Sequence, residues 1–573
     1  MAVENLITEH IDIWTSAVKT KSTSGRGSSK KLELYGVNKL RELILELAVR
    51  GKLVPQDPND EPASVLLERI AAEKAQLVKD GKIKKSKGLG EISEEDDRLK
   101  NIPSLWETAR LGNLLYVEMG QSPASKYYNQ DHNGVPFFQG KADFGERYPT
   151  ARYWCVQPQK YAYEGDVLLS VRAPVGPTNI STEECCIGRG LAALRPISGV
   201  PTNYVYYMMQ GFRKTLESLA TGTTFVAVSK VNVENLIISV PPLKEQHRIV
   251  AKVDELMTLC DQLEQQTEAS IEAHQVLVTT LLDTLTNSAD ADELMQNWAR
   301  ISEHFDTLFT TEESIDQLKQ TILQLAVMGK LVPQDPSDEP AAELLKRITD
   351  EKAQLVKEKK IKKQKALPPI AEDEKPFELP NGWEWCRLPD LGELARGKSK
   401  HRPRNDPKLY ENGNIPLVQT GDVARANGTI LTYTAKYNEF GLAQSQLWPK
   451  GTLCITIAAN IADTATLGFD ACFPDSVVGY TPYDKEIPTV YFDYFIKTAK
   501  ENLERFAPST AQKNINLEIL SNVLVPCPPK QQFPRIVEKV NLLLGICDEL
   551  KERLKESQMS QLQLTDAIVE QAV

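Results

Sequence analysis

The stretch "GKLVPQDPNDEPASVLLERIAAEKAQLVKDGKIKK" starts at Gly51, and "GKLVPQDPSDEPAAELLKRITDEKAQLVKEKKIKK" starts at Gly329. Two near-copies set this far apart constrain the fold more than any other feature. Solenoids repeat every 20–50 residues, so this separation means duplicated domains instead. The repeat extends upstream. "ITEHIDIW" at Ile7 answers "ISEHFDTL" at Ile301, and "LRELILELAV" at Leu40 answers "LKQTILQLAV" at Leu318. Between these, the first copy carries an added "KTKSTSGRGSSKK", whose Ser, Gly and Lys content reads as a flexible linker.

A second block repeats elsewhere: "PPLKEQHRIVAKVDELMTLCDQL" at Pro241 and "PPKQQFPRIVEKVNLLLGICDEL" at Pro528. Apolar residues recur at Ile249, Val253, Leu256, Cys260 and Leu263, and again at Ile536, Val540, Leu543, Cys547, Leu550 and Leu554. The 4-3 spacing is that of a helix seam, and it predicts two long helices packed on each other. At 1.5 Å per residue each would be roughly 60 Å long. The centre of the chain reads long helix, "EHFDTLF" helix, "GKLVPQDP" segment without a break. The C-terminus supplies only the long helix, and the N-terminus only the other two parts. Joined end to beginning, they would make a second complete module. The order therefore predicts a circular pseudo-repeat with an internal two-fold axis and neighbouring termini.

Within the doubled segment, Gly51 is expected to stop a helix that Pro55 and Pro58 cannot continue. Asp60 or Glu61 is expected to cap the next helix, with Pro62 in its first turn. That helix carries Leu66, Leu67, Ile70 and Leu77 on one side and ends in "KDGKIKK", whose lysines suit the helix C-terminal dipole. A solvated helix end and a partner-docking end are both open readings.

Between the helical parts lie two stretches of similar layout, near 101–240 and 378–526. "GQSP" answers "GKSK", "VPFFQGKAD" answers "IPLVQTGDV", "EGDVLLSV" answers "KGTLCITI", and "CCIGRGLAALRP" answers "ACFPDSVVGYTP". Short β-branched runs divided by Gly, Asn and Asp predict mostly β structure with a few helices. The expected class is α+β: two mixed, mostly β domains separated by two long, coiled-coil-like helices, antiparallel or parallel. The expected segments are 1–100, 101–242, 243–377, 378–528 and 529–573. A content of 41% hydrophobic and 25% charged residues suits a globular protein. No apolar run is long enough for a membrane helix, and no signal peptide is read, so a cytoplasmic location is expected. The nine cysteines are dispersed without a CxxC pair, which argues against zinc and for a reducing compartment. A net charge of −11 argues against a nucleic-acid partner for the chain as a whole. The acidity, however, sits mostly in Glu-rich helical segments.

"LQLAVMGKLVPQDPSDEPAAELLKRI", its partner copy and the paired landmarks of the two inserts carry a resemblance. The chain resembles the specificity subunit of type I DNA restriction–modification systems, and within them the longer enterobacterial type IB branch. The resemblance implies two target-recognition domains that each read half of a bipartite site in double-stranded DNA, with the helices as a ruler. It implies no catalysis and no cofactor in this chain. Two methyltransferase subunits would dock on the helical regions and use S-adenosylmethionine to modify adenine at N6. Two restriction subunits would add ATP- and Mg-dependent translocation and cleavage. The sequence holds no [DN]PP[FY] methyltransferase motif, no HExxH and no metal-ligand pattern.

"GELARGKS", Gly392 to Ser399, fits the spacing of a phosphate-cradling loop. Such a loop must follow a strand and open a helix, and the prolines of "KHRPRNDPK" spoil a helix there. The same stretch suits DNA better, with Arg396, Lys398, Lys400, Arg402 and Arg404 in one loop. In the first insert the DNA candidates are Lys126, Tyr127, Tyr128, Gln139, Lys141, Arg147, Arg172 and Arg189. Gln139 and Gln419 hold matching places after apolar runs, where an amide can meet an adenine edge or serve as a turn hydrogen bond. Thr221, Thr223, Thr224 and Lys230, answered by Ser509, Thr510, Gln512 and Lys513, suit phosphate contacts. Trp106, Trp383 and Trp385 are expected as core anchors, and Cys260 and Cys547 as packing residues. The doubled Gly51, Lys52, Leu53 and Val54, with Gly329, Lys330, Leu331 and Val332, are expected to dock a partner. A P-loop nucleotidase and a coiled-coil interaction protein without a DNA role stand as alternatives.

Overall fold

The computed structural model describes residues 3–22, 30–84, 89–90, 92, 102–220, 226–289, 291–358, 367–458, 460–505 and 515–573. They form two compact units. One comprises Met1–Ser270 with Ser557–Val573, the other Ile271–Glu556. Both divisions fall inside long helices, Leu243–Thr286 and Gln532–Ala572.

In the first unit, Tyr35–Val49 is a helix because Val37, Leu40, Leu43, Ile44 and Leu47 recur on one buried face. Gly51 ends it at φ +70, with the Lys52 amide bonded back to the Leu47 carbonyl at 3.0 Å. This is a glycine-terminated helix end in which the left-handed residue satisfies a leftover carbonyl. A β-carbon at Gly51 would lie 2.6 Å from the Pro103 ring and 3.1 Å from Trp106, so no side chain fits. The second unit repeats the device. Gly329 has φ +72, Lys330 bonds the Leu325 carbonyl at 2.9 Å, and a β-carbon would meet Pro380 and Trp383.

The doubled segment is then pinned to the start of a long helix in its own unit. In the first unit, Glu245 accepts from Gln56 at 2.8 Å and from the Trp106 indole at 3.0 Å, while Arg248 pairs with buried Asp60 at 2.6 Å. In the second unit, Gln532 accepts from the Trp383 indole at 2.8 Å and donates to Gln334 at 2.7 Å, and Arg535 pairs with Asp338. Asp60 or Glu61 was expected as the helix cap, with Pro62 in the first turn. Instead Pro62 occupies the N-cap position without a side-chain cap, and the Asp60 carboxylate is spent on Arg248. The lysines of the segment meet helix ends. Lys52 donates to the Val573 carbonyl at 2.6 Å; Lys330 donates to the Thr286 and Ser288 carbonyls at 2.8 and 2.9 Å. The last carbonyls of a helix lack intrahelical partners and carry partial negative charge, so an ammonium is well placed there. Tyr35 also donates to Asp566 at 2.7 Å, which places residues from the two ends of the chain together in the first unit.

In the second unit, part of the expected seam lies in the core. Ile536, Val540 and Cys547 belong to the core of the second unit, in one cluster with Leu318 and Ile322 of helix Glu312–Val327 and Tyr491, Phe492 and Phe495 of helix Thr489–Arg505. Hydrogen bonds agree: Lys319 reaches Asp548, and Tyr494 donates to Asn541 at 2.7 Å. In the first unit, Arg41 pairs with Asp261 and Glu264, and Tyr207 with Asp254. Residue spacing identifies an apolar stripe but not what covers it.

Each insert opens and closes on a zipped strand pair: Glu107–Arg110 with Ile237–Val240, and Glu384–Arg387 with Leu524–Cys527. Inside each lie two sheets. The first insert has the antiparallel order Thr178–Ile180, Val167–Ser170, Leu191–Pro196, Leu115–Met119. The second has the corresponding order Thr464–Leu467, Leu453–Thr456, Val477–Pro482, Gly392–Arg396, with Thr429–Ile430 added at the outer edge. The other sheet is built round one parallel pair, Val135–Phe138 with Cys185–Ile187, answered by Ile415–Leu417 with Ala471–Cys472.

Candidate nucleic-acid interface

The same backbone hydrogen bonds recur at the ends of these strands and fix a residue-by-residue match. Val171 bonds the Gly190 carbonyl at 2.9 Å, as Ile457 bonds that of Ser476 at 3.0 Å. Gly120 bonds the Leu191 carbonyl, and Gly397 that of Val477, both at 2.9 Å. A β-carbon at Gly120 would stand 2.2 Å from the Gly188 carbonyl oxygen, and one at Gly397 2.4 Å from that of Pro474, so both approaches require glycine. The loops carrying Gln139, Arg172 and Arg189 therefore converge on one edge of the first insert. Gln419 and the basic loop converge on the corresponding edge of the second.

The two glutamines are held alike. In the first insert, buried Asp143 accepts the Gln139 amide at 2.7 Å and is gripped by Arg152 at 2.7 and 2.5 Å. In the second, buried Asp422 accepts the Gln419 amide at 2.9 Å and is gripped by Arg425 at 2.7 Å. The main chain of each glutamine is locked while its side chain stays exposed, without a partner among the described residues. Sequence reasoning paired the two glutamines and missed the carboxylates that hold their main chain. The signal was present as an Asp a few positions on in both "QGKAD" and "QTGD".

Lys126, Lys141, Arg172 and Arg189 are exposed. No described residue pairs with the guanidinium of Arg172 or Arg189. Three candidates change role. The Tyr127 ring packs beside Phe137, Cys155 and Cys186, with the Lys126 ammonium 4.8 Å from its centre. Lys230 lies 3.5 Å from Glu234 and over the Tyr116 ring, so its charge is spent inside the domain. Arg147 bonds the Tyr207 hydroxyl at 3.3 Å and faces Asp254 at 3.5 Å, which makes it a strut to the long helix. Thr221, Thr223, Thr224, Ser509, Thr510, Gln512 and Lys513 lie outside the described residues.

The basic loop folds on itself. Arg404 donates to both Asp475 oxygens at 2.7 and 2.8 Å, and Arg402 stands 4.0 Å away from the same carboxylate. Arg396 bonds the Asp475 carbonyl, Lys398 donates to Gln446 at 2.6 Å, and Lys400 is exposed. His401 bonds Asp406 at 2.7 Å, which holds that carboxyl below its usual range. Gly392–Arg396 is a strand, and the next element is the short 3-10 turn Pro407–Leu409. With no helix N-terminus behind it, this stretch cannot cradle a phosphate as a P-loop does, and the nucleotidase alternative falls. The cysteines are packing residues: burial pushes the Cys185 thiol up to about 11, and those of Cys260 and Cys547 likewise. The doubled "GKLV" segments, expected to dock a partner, make contacts within their own units. Leu53 is buried, and both lysines cap helix ends.

Comparison with known proteins decides the family. The model of the type I restriction modification DNA specificity domain matches residues 103–273 and 380–557. The chain belongs to the type I restriction–modification specificity family. It is 42% identical to the Type I restriction enzyme EcoAI specificity subunit of Escherichia coli and 40% identical to the EcoEI specificity subunit of the same organism, in each case over all of both chains. These are type IB proteins. The crystal structure of the HsdS subunit from Thermoanaerobacter tengcongensis is 30% identical over 44% of this chain and 62% of that one. Its TM-score of 0.27 is too low to bear on the fold. As a specificity subunit, the chain is the DNA sequence-recognition part of a type I restriction–modification system. No described helix is long and apolar enough to cross a membrane.

Proposed function

We propose that this specificity subunit reads a bipartite, asymmetric site in double-stranded DNA, one half through each sheet-rich insert. The observation that carries this is the pair of equivalent edges. Each sets an exposed glutamine on an Asp–Arg clamp beside exposed guanidinium groups, yet the flanking side chains differ. Amides and guanidiniums read adenine and guanine edges in the major groove, so a shared frame with different tips suits two different half-sites.

The chain itself contributes no catalytic group in this reading. It scaffolds two methyltransferase subunits that use S-adenosylmethionine to modify adenine at N6, and in the full complex two restriction subunits that use ATP and Mg. The long helices, as an antiparallel coiled-coil-like pair, set the gap between half-sites. An internal pseudo-two-fold, with the circular repeat closed where the chain ends meet, is supported by the matching Lys52–Val573 and Lys330–Thr286 contacts. It would give the two methyltransferases equivalent surfaces.

The test is exchange of residues 103–240 for the corresponding insert of a relative with another specificity, followed by sequencing of methylated DNA from cells carrying the complete system. One half of the motif should change and the other persist. A change in both halves or in neither would sink the modular reading.

A further inference from the structure

The matched backbone hydrogen bonds place Arg189 of the first insert and Asp475 of the second at the same position in the frame. Cys186, Ile187 and Gly188 answer Cys472, Phe473 and Pro474, and the next residue is Arg189 in one and Asp475 in the other. A charge reversal at a DNA-facing corner should repel phosphate. The surroundings remove that conflict. Arg404 lies across both oxygens of the carboxylate, Arg402 approaches it, and Arg396 bonds its main-chain carbonyl. Three guanidiniums around one aspartate, two of them at its carboxylate, leave the corner cationic.

We propose that Asp475 is a positioning residue for DNA recognition: it seats the Arg404 guanidinium at the corner that Arg189 fills directly in the first insert. The two inserts thus present an arginine beside the clamped glutamine by different chain routes. Arg404 uses one terminal nitrogen, Nη2, on the carboxylate, and its Nη1 has no hydrogen-bond partner among the described residues and is left for a base edge. A guanidinium already held in place loses less freedom on binding than a free one. Arg404 is half exposed and Asp475 mostly covered, as expected of a reader and its seat. The pairing is not legible in the residue order, because 71 residues separate the partners.

This inference rests on the reading of the inserts as half-site readers. The experiment uses the full chain assembled with its methyltransferase and double-stranded oligonucleotides carrying the methylated motif, each with one base changed in one half. Asp475→Asn should reduce discrimination at the half read by residues 380–527 by about tenfold or more, leave the other half untouched, and weaken non-specific binding not at all. Removing a negative charge cannot by itself weaken attachment to phosphate, so lost discrimination with undiminished non-specific affinity separates positioning from mere damage. Arg404→Ala, at a half-exposed surface position, should lose discrimination at the same half. Unchanged discrimination in either variant, or equal loss in both halves, overturns the proposal. If the exchange of residues 103–240 moves one half-site while Asp475→Asn is silent, only this inference falls. If the exchange moves neither, the half-site reading falls with it.

Discussion

The two inserts differ least where they join their helices and most where they face outward. At the joints, several contacts of one unit have counterparts in the other: Trp106 and Trp383, Asp60 and Asp338, Tyr207 and Tyr494. Glu245 is replaced by Gln532 and Asp254 by Asn541, yet each keeps the corresponding hydrogen bond. At the edges, the glutamine clamp persists while Arg189 faces Asp475 across the match. Buried joints favour substitutions that keep an existing hydrogen bond, because a newly orphaned buried donor or acceptor costs about 1–3 kcal/mol. Solvated tips carry no such penalty and are free to differ.

The largest effect that would break this comparison is at the tryptophans. Trp106→Ala and Trp383→Ala should each destabilise their unit by about 3–5 kcal/mol, by lost packing and a stranded partner. Denaturation followed by circular dichroism should find the two losses within about 1 kcal/mol of each other. A silent variant at either position would show that the joints are not equivalent.

A smaller effect separates the two joints. Burial raises the Glu245 carboxyl above the ordinary 4.5, so the fold takes up its proton more readily than the unfolded chain does. The stability it contributes is then greatest in acid and falls as pH rises from 4.5 through the raised value. Glu245→Gln copies Gln532. It should flatten that decline and leave stability at neutral pH unchanged or higher by up to about 1 kcal/mol. Urea titrations between acid and neutral pH check the slope; a steeper decline in the variant would contradict the equivalence.

The smallest effect is at the tips. Arg402→Ala should weaken DNA binding by the assembled complex and flatten its logarithmic salt dependence by about one. Lys141→Ala should do the same at the other insert, without altering the motif. Titration of affinity against salt concentration checks both, and an unchanged slope removes the residue from the interface.

The doubled segment made the duplication, the helical regions and the two β-rich inserts legible, because near-identity over so long a stretch leaves no other account. The glutamines were legible because both follow an apolar strand. What "GKLV" touches was not: Lys52 meets a carbonyl 521 positions away, and sequence carries no trace of such a contact. Lys230 and Arg147 looked like free cations because their partners, Glu234 and Asp254, are ordinary surface letters until folding buries or aligns them. Nothing in the sequence singles out Asp475. The apolar stripe of the long helices was legible, but not which other helices pack on it within each unit, since a 4-3 spacing suits a neighbouring helix of any origin.

The discontinuity of the first unit has a consequence for synthesis. Ile271–Glu556 is one unbroken stretch, whereas Met1–Ser270 needs Ser557–Val573 for completion. On the ribosome, Tyr35 emerges 531 residues ahead of Asp566. Domains fold as units while the chain grows, at about 5–20 residues per second, so the later-made unit has all its parts first. The earlier-made half must wait tens of seconds with an unfilled flank, and in that interval it is the part of the nascent chain most open to a chaperone or a wrong neighbour.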